Sequence, residues 1–122
     1  GRSYLGITQY MAASTRPPHL NAIFPEMAMF DLYSFVYPGG AFHNDVVAQW
    51  GLLVSRLDTS GMPVDDDGDR SMLTSALQEH KANRDVFELA SSLPYRDSLD
   101  AESKQPFYHV NSPSTYLNDV RN

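Results

Sequence analysis

The 122-residue sequence predicts a mainly helical protein that contains one short strand. Three observations support this class. Apolar residues recur at intervals of three and four in several segments, as they do along one face of a helix. Proline and clusters of polar residues separate these segments. One short apolar run, residues 20–29, begins in a way that suits a buried strand.

The first helix is predicted from Tyr4 to about Ser14, because this segment has few helix-breaking residues. Its apolar positions are Leu5, Ile7, Met11 and Ala12. The segment Arg16-Pro17-Pro18 ends it. The apolar run 20–29 follows, and its beginning suits a buried parallel strand. Pro25 lies within the run and marks the end of the strand, since proline cannot donate to a sheet ladder.

The rest of the chain reads as helices joined by polar loops. A helix from about His43 to Leu57 would present one broad apolar face. A second helix is predicted up to His80, and a third from Val86 to Leu93, where Pro94 stops it. Near the end of the chain, Ser112-Pro113 resembles an N-cap with proline at the first helical position. It predicts a short helix through Val120.

An acidic run, residues 65–69, precedes the second of these helices and raises the question of calcium binding. If Gly68 is the sixth residue of an EF-hand loop, Pro63 takes the first position and Thr74 the twelfth. Neither residue supplies the carboxylate that the loop needs there. We therefore predict no metal site. The carboxylates are expected to be solvated and to favour the N-terminus of the next helix.

Composition excludes several classes of function. The net charge is -6 and nine basic residues are scattered along the chain, which argues against nucleic acid as a partner. No stretch approaches the roughly 20 apolar residues that span a bilayer, so no membrane partner is expected. The absence of cysteine removes disulfides, thiolate metal sites and cysteine catalysis. Composition does not decide the cellular compartment.

The first six residues, Gly1-Arg2-Ser3-Tyr4-Leu5-Gly6, form a pattern typical of the nucleophile elbow of serine hydrolases. In an elbow the backbone turns sharply from a strand into a helix, so the residues that flank the serine must be small. Ser3 would be exposed at the turn as the nucleophile. The backbone N–H of Tyr4 would help to stabilise the oxyanion. Such spacing also occurs by chance in loops and helix caps.

From Ser3 onward the sequence resembles the CocE/NonD family of α/β-hydrolases, which includes cocaine esterase and is related to X-Pro dipeptidyl-peptidases. The resemblance is dense over the first fifty residues. It is carried by Thr8-Gln9, Ala12-Ala13, Leu20-Asn21-Ala22-Ile23-Phe24-Pro25-Glu26-Met27-Ala28, Asp31-Leu32-Tyr33, Pro38-Gly39-Gly40-Ala41 and Trp50. It implies a parent α/β-hydrolase whose core contributes residues 1–30 and whose helical cap contributes residues 31–122. The chain would then begin within a domain.

The resemblance also implies roles for individual residues. Trp50 matches an aromatic residue of the acyl pocket and Tyr37 lies near a second such position, so both are candidate substrate-binding residues. The alternative is that both fill the core of the cap. Asp31 and Glu26 are expected to bond backbone at the junction. The family's catalytic acid and histidine follow the cap, and we expect them outside this chain. No cofactor is implied.

The resulting expectation is a piece of a serine hydrolase that cleaves ester or amide bonds through an acyl-enzyme on Ser3. Its substrates would be small-molecule esters or peptides. The piece would be inactive alone and would self-associate through apolar surface. A stand-alone helical interaction domain without catalysis is the alternative. A compact hydrolase that uses His109 with Asp97 or Asp100 also satisfies the order of a catalytic triad.

Overall fold

A computed structural model describes residues 1–120 and confirms the mainly helical class. Seven α-helices are present in this part of the chain. They are α1 (Tyr4–Ser14), α2 (Leu32–Val36), α3 (Gln49–Ser60), α4 (Ser71–His80), α5 (Val86–Ser92), α6 (Phe107–Val110) and α7 (Leu117–Val120). Short 3-10 turns cover Pro38–Gly40 and Pro113–Tyr116, and a π-helical turn covers Asn44–Ala48. None of the described helices is long and apolar enough to cross a membrane.

Contacts divide the chain into two units. Unit 1 contains residues 1–41 and the described residues from 93 onward, and unit 2 contains residues 42–92. This division follows compactness within the chain. It differs from the core and cap ranges implied by the family resemblance, and those ranges, 1–30 and 31–122, stay a prediction.

Four predicted helices are present, with small shifts at their ends. Helix α1 has the predicted bounds. The predicted helix at 43–57 consists of the π-helical turn followed by α3, which continues to Ser60 and ends at Gly61. Helices α4 and α5 occupy the next two predicted segments. The pattern of apolar residues therefore located the longer helices correctly.

The predicted strand at 20–29 is not a regular strand. Within the described residues, this segment forms only an isolated parallel bridge between Arg2 and Glu26. The physical reason lies in the segment itself. Pro25 has no N–H to donate to a ladder, and the backbone leaves the extended conformation at Met27, whose φ is 47°.

Helices α2 and α6 were not predicted. Each is about one turn long, which is too short for apolar periodicity to indicate a helix. Helix α2 begins after Asp31, whose side chain accepts a hydrogen bond from the Ser34 N–H at 2.7 Å. This contact confirms that Asp31 bonds backbone, and the domain junction expected there stays a prediction.

Aromatic packing forms the core of unit 1. The side chain of Tyr108 is 1% exposed, and its hydroxyl donates to the Leu93 carbonyl at 2.7 Å. Its ring meets that of Tyr33 edge to face, with centroids 5.1 Å apart. Tyr37 is also buried and stacks on Tyr33 at 5.5 Å. Burial raises the pKa of both Tyr37 and Tyr108, so both phenols stay protonated.

Ser112 has the predicted position but a different role. It directly precedes the turn that begins at Pro113, yet its side chain makes no capping bond there. The hydroxyl instead donates to the Tyr108 carbonyl at 2.6 Å and accepts from the Leu32 N–H at 2.9 Å. Ser112 is 2% exposed, and its buried hydroxyl satisfies a partly buried amide at the start of α2.

Small contacts hold the helices of unit 2 together. Gly51 lies directly against Phe87, and a Cβ added at Gly51 would be 3.0 Å from the Phe87 Cβ. Polar bonds add to this contact. The Ser55 hydroxyl donates to Asp85 at 2.5 Å, and His80 Nδ1 lies 3.0 Å from the Asp58 carboxylate. These bonds link α3 to α4 and to the segment that precedes α5.

The acidic loop before α4 bonds to the start of the helix as the sequence predicts, but the expectation that all its carboxylates are solvated is wrong for Asp67. Asp67 is buried, and its carboxylate accepts the N–H groups of Met72 and Leu73 at 3.0 and 2.8 Å. Asp69 accepts from the Ser71 N–H at 3.0 Å. The carboxylates therefore satisfy amides at the start of the helix, as predicted. Within residues 1–120, no three acidic or histidine side chains form a group that could hold a metal ion.

Candidate active site

Ser3 lies where a short parallel pairing ends and α1 begins. The Gly1 amino group donates to the Phe24 carbonyl and the Gly1 carbonyl accepts the Glu26 N–H, both at 2.9 Å. The Ser3 N–H then donates to the Glu26 carbonyl at 2.9 Å. These bonds alternate along the two segments as in a parallel sheet. Ser3 is therefore the last paired residue before the chain turns into the helix.

The backbone of Ser3 is strained. Its φ of 54° and ψ of -127° lie outside the regions that residues with a side chain prefer. Such a conformation costs on the order of 1–3 kcal/mol and occurs preferentially at functional sites. The Ser3 carbonyl accepts the N–H groups of Gly6 and Ile7 at 2.8 and 3.1 Å, which fixes the start of α1.

The two glycines of the motif, Gly1 and Gly6, lie so close to neighbouring atoms that a side chain would not fit. A Cβ at Gly6 would lie 2.7 Å from the Ala28 Cβ and 2.9 Å from the Gly1 carbonyl oxygen. A Cβ at Gly1 would lie 2.8 Å from the Leu5 carbonyl oxygen. All three distances are shorter than a Cβ atom tolerates. The prediction that only small residues fit around the serine is confirmed.

The chemical groups of the turn are open to a ligand. Ser3 is exposed, and its hydroxyl makes no hydrogen bond to any of residues 1–120. Tyr4 is the first residue of α1, so its N–H has no acceptor within the helix. A free hydroxyl and a free amide on consecutive residues are what attack on a carbonyl and stabilisation of its oxyanion require.

The structure does not bring a catalytic base to Ser3 among the described residues, since no histidine is hydrogen-bonded to it. His109 is exposed, and its carbonyl accepts the Thr115 hydroxyl. Asp100 is buried and accepts the N–H groups of Glu102 and Ser103. Both of these bonds lie within the turn that follows Asp100.

The two candidate substrate-binding aromatics have different environments. Trp50, in unit 2, is 51% exposed and so is only half covered by its own unit. Tyr37 is 6% exposed and belongs to the aromatic core of unit 1. The environment of Tyr37 fits the core-filling alternative. The roles of both residues in substrate binding stay predictions.

An ion pair between Asp31 and Arg96 was not foreseen. Asp31 Oδ2 lies 2.8 Å from Arg96 Nη1, and the guanidinium also lies 4.7 Å from the centre of the Tyr33 ring. Burial alone would raise the pKa of Asp31, but hydrogen bonds from Arg96 and Ser34 outweigh it and lower the pKa to about 2. The partners are 65 residues apart, so no local pattern indicates the pair.

The family comparison agrees with this geometry. The model of the X-Pro dipeptidyl-peptidase (S15) family matches residues 1–122. The chain belongs to this family. The resemblance to CocE/NonD hydrolases is confirmed as well, because the S15 chain is 42% identical over 66 residues to cocaine esterase of Rhodococcus sp. That match covers 48% of this chain and 12% of the esterase.

Two further relatives are named serine esterases, one from Mycobacterium bovis and one from Mycobacterium tuberculosis. Each is 29% identical to this chain over 118 residues, and the match covers 83% of this chain. The chain spans only 19% of the length of these two relatives. No solved structure matches the chain. The family and the names of the relatives support a hydrolase of the serine esterase or peptidase type.

Proposed function

We propose that this chain is part of a serine hydrolase that cleaves ester or amide bonds through an acyl-enzyme on Ser3. One observation carries the proposal. Ser3 has a strained backbone at a strand-to-helix turn, with its hydroxyl and the next amide both free. A serine that only capped α1 would use its side chain to accept an N–H of the first turn, and Ser3 does not.

In the proposed reaction Ser3 Oγ attacks the carbonyl carbon of the substrate while a histidine accepts its proton. The Tyr4 N–H donates to the oxyanion of the tetrahedral intermediate. The bond to the leaving alcohol or amine then breaks, and the leaving group takes the proton from the imidazolium. Water hydrolyses the acyl-enzyme by the same steps and restores Ser3. This chemistry needs no cofactor.

The acid and the histidine are proposed to lie in the longer family polypeptide. Three points support this placement. No histidine among residues 1–120 bonds to Ser3, the Asp100 carboxylate accepts two N–H groups of its own turn, and the mycobacterial relatives are about five times as long as the segment they share with this chain. The isolated chain is then expected to be inactive, since loss of the base removes most of the rate enhancement.

The substrate is proposed to be a small-molecule ester or a peptide, with Trp50 as an apolar contact. Its half-exposed indole offers surface that its own unit leaves uncovered. Tyr37 is buried in the aromatic core of unit 1, so any effect it has on substrate binding would come from packing within that core. The isolated chain is also proposed to self-associate, because Phe24, Tyr4 and Leu5 are 82%, 66% and 66% exposed.

The test is labelling with a fluorophosphonate, read by intact mass, together with hydrolysis of a p-nitrophenyl acyl ester. It is carried out on the family-length protein and on the 122-residue chain. We expect labelling of the family-length protein, loss of labelling in Ser3→Ala, and no change in Ser14→Ala, which alters a serine at the end of the same helix. Labelling of the short chain would point to His109 as a local base. Absence of labelling in both proteins would contradict the proposal.

A stand-alone interaction domain is the second candidate, and one observation favours it. Four apolar side chains that follow one another at helical spacing on the π-helical turn and α3 are 41% to 54% exposed; they are Val46, Trp50, Leu53 and Leu57. Light scattering separates the two functions. A single defined oligomer of the short chain, lost in Leu53→Glu, would favour the interaction domain. Nonspecific association would favour the hydrolase.

A further inference from the structure

We propose that Met27 determines specificity by contacting the acyl group of the substrate. The inference rests on the proposed function, because it concerns the same reacting serine. Neither the family match nor the names of the relatives assigns a role to this residue. Three features of the structure carry it, namely its place in the parallel pairing, its backbone conformation and the surroundings of its side chain.

The pairing places Met27 one residue beyond Glu26, the residue that is paired with the nucleophile. Glu26 accepts the Ser3 N–H at 2.9 Å, and Met27 is the next residue. Both Ser3 and Met27 therefore lie just where a paired segment ends. In open α/β sheets, ligands bind outside the carboxyl ends of adjacent parallel strands. Met27 is at that position in the segment that neighbours the Ser3 turn.

The backbone at Met27 is held in the left-handed region. Its φ is 47°, close to the φ of 54° at Ser3. The left-handed conformation is higher in free energy for a residue with a Cβ than for glycine, because the Cβ crowds the backbone. Two strained residues at the same end of one pairing match the tendency of strain to occur at binding sites. We therefore infer that the Met27 side chain has a functional role that offsets this strain.

The side chain of Met27 is oriented but not covered. Its sulfur accepts hydrogen bonds from Arg2 Nε at 3.2 Å and Arg2 Nη2 at 2.9 Å. Thioether sulfur is a weak acceptor, so these contacts direct the side chain more than they bind it. Met27 stays 72% exposed. An oriented, exposed and polarisable apolar group beside the nucleophile is suited to contact a hydrocarbon chain.

We assign the acyl group as the partner of Met27, because it is the part of the substrate that stays bonded to Ser3 after the leaving group departs. The leaving group departs after the first half of the reaction, whereas the acyl group stays bonded to Ser3 Oγ until water attacks. A side chain next to the Ser3 turn can therefore contact the acyl chain in both halves. A longer apolar acyl chain would gain more from this contact.

The test compares kcat/KM for p-nitrophenyl acetate, butyrate and octanoate in the family-length enzyme. The variants are Met27→Ala, Met27→Leu and Met27→Gly, with Met62→Ala as the matched control at another highly exposed methionine. We expect Met27→Ala to lower the octanoate-to-acetate ratio about tenfold. Met27→Leu should keep the ratio near that of the native enzyme, and Met62→Ala should not change it. Arg2→Ala should change the ratio in the same direction by less.

Met27→Gly separates contact from strain. Glycine removes the side chain and relieves the backbone, whereas alanine removes only the side chain. If the contact matters, both variants change the ratio alike. A change in the glycine variant alone would overturn the proposal, because backbone strain would then explain the effect.

Two further outcomes distinguish this inference from the proposed function. An unchanged ratio in Met27→Ala, with full fluorophosphonate labelling of Ser3, would overturn the role of Met27 alone. The same conclusion would follow if the variants altered preference among leaving alcohols but not among acyl groups. Absence of labelling at Ser3 in the native enzyme would overturn the proposed function and this inference together.

Discussion

The two units of the chain are stabilised by different means. Unit 1 buries large aromatic and aliphatic side chains, among them Tyr37, Tyr108 and Leu93. The buried apolar side chains of unit 2 in the described structure are Val47 and Ala90, and a buried carboxylate, Asp67, accompanies them. Unit 1 therefore buries more large side chains than unit 2, in which polar bonds at helix ends add to a smaller core. The candidate nucleophile belongs to the unit that has the larger core.

This difference can be measured because the fluorophores are divided between the units. The chain contains one tryptophan, Trp50, and it lies in unit 2. All seven tyrosines lie in unit 1. Tryptophan fluorescence thus reports unfolding of unit 2, and the near-UV circular dichroism of tyrosine reports mainly on unit 1.

The largest effect is expected for Tyr108→Ala. Removal of a fully buried aromatic ring costs about 3–5 kcal/mol of unfolding free energy. Tyr108→Phe keeps the ring and loses only the bond to the Leu93 carbonyl, so it should cost about 1 kcal/mol. Urea unfolding followed by the tyrosine signal measures both. Equal losses in the two variants would show that the hydrogen bond, rather than the packing, stabilises unit 1.

Gly6→Ala should have the next largest effect. The new methyl group would meet the Ala28 Cβ at 2.7 Å and the Gly1 carbonyl oxygen at 2.9 Å. Forced packing of this kind costs about 1–3 kcal/mol. It should also lower fluorophosphonate labelling of Ser3 in the family-length enzyme. Gly68→Ala is the control, because no atom lies within 4 Å of the added carbon there. A labelling rate that Gly6→Ala leaves unchanged would argue against a tight elbow.

A smaller effect, confined to unit 2, is expected for Asp67→Ala. The change removes the acceptor for the Met72 and Leu73 N–H groups, and loss of a helix cap costs about 1–2 kcal/mol. Tryptophan fluorescence should report the loss, and the tyrosine signal should not. Asp66→Ala, at the exposed neighbouring carboxylate, is the matched control. If both variants behaved alike, net charge rather than the cap would explain the effect.

The sequence predicts much of this fold but only part of the candidate site. Periodic apolar residues located α3, α4 and α5, since these helices are long enough to show a period, and a lack of helix-breaking residues located α1. The same reasoning missed α2, where a single turn depends on the side chain of Asp31.

The candidate site shows the same division between local and distant features. The spacing of Gly1, Ser3 and Gly6 predicted the tight turn, because its steric requirement is local. The strain at Met27 and its contact with Arg2 depend on pairing between segments about 25 residues apart. No pattern within one segment encodes such a contact. The Asp31–Arg96 pair escaped prediction for the same reason.

The smallest effect is expected in the acid limb, that is, in how the unfolding free energy of each unit falls as the pH is lowered. The pKa of Asp31 falls from 3.8 to about 2 on folding, so its contribution is present above pH 3.8 and is lost as the pH falls toward 2. Solvent screens the pair because Arg96 is 59% exposed, which limits the contribution to about 1 kcal/mol. Asp31→Asn should therefore flatten the acid limb of the tyrosine signal and leave that of tryptophan unchanged.

Unit 2 offers the converse variant. The Ser55 hydroxyl and the Glu88 N–H donate to Asp85, and these bonds lower its pKa. Its contribution is also lost on acidification, by the same sign, since the carboxylate must be charged to accept both bonds fully. Asp85→Asn should thus flatten the acid limb of tryptophan fluorescence only. If either variant changed both signals equally, the two units would unfold as one and the contrast between them would not hold in solution.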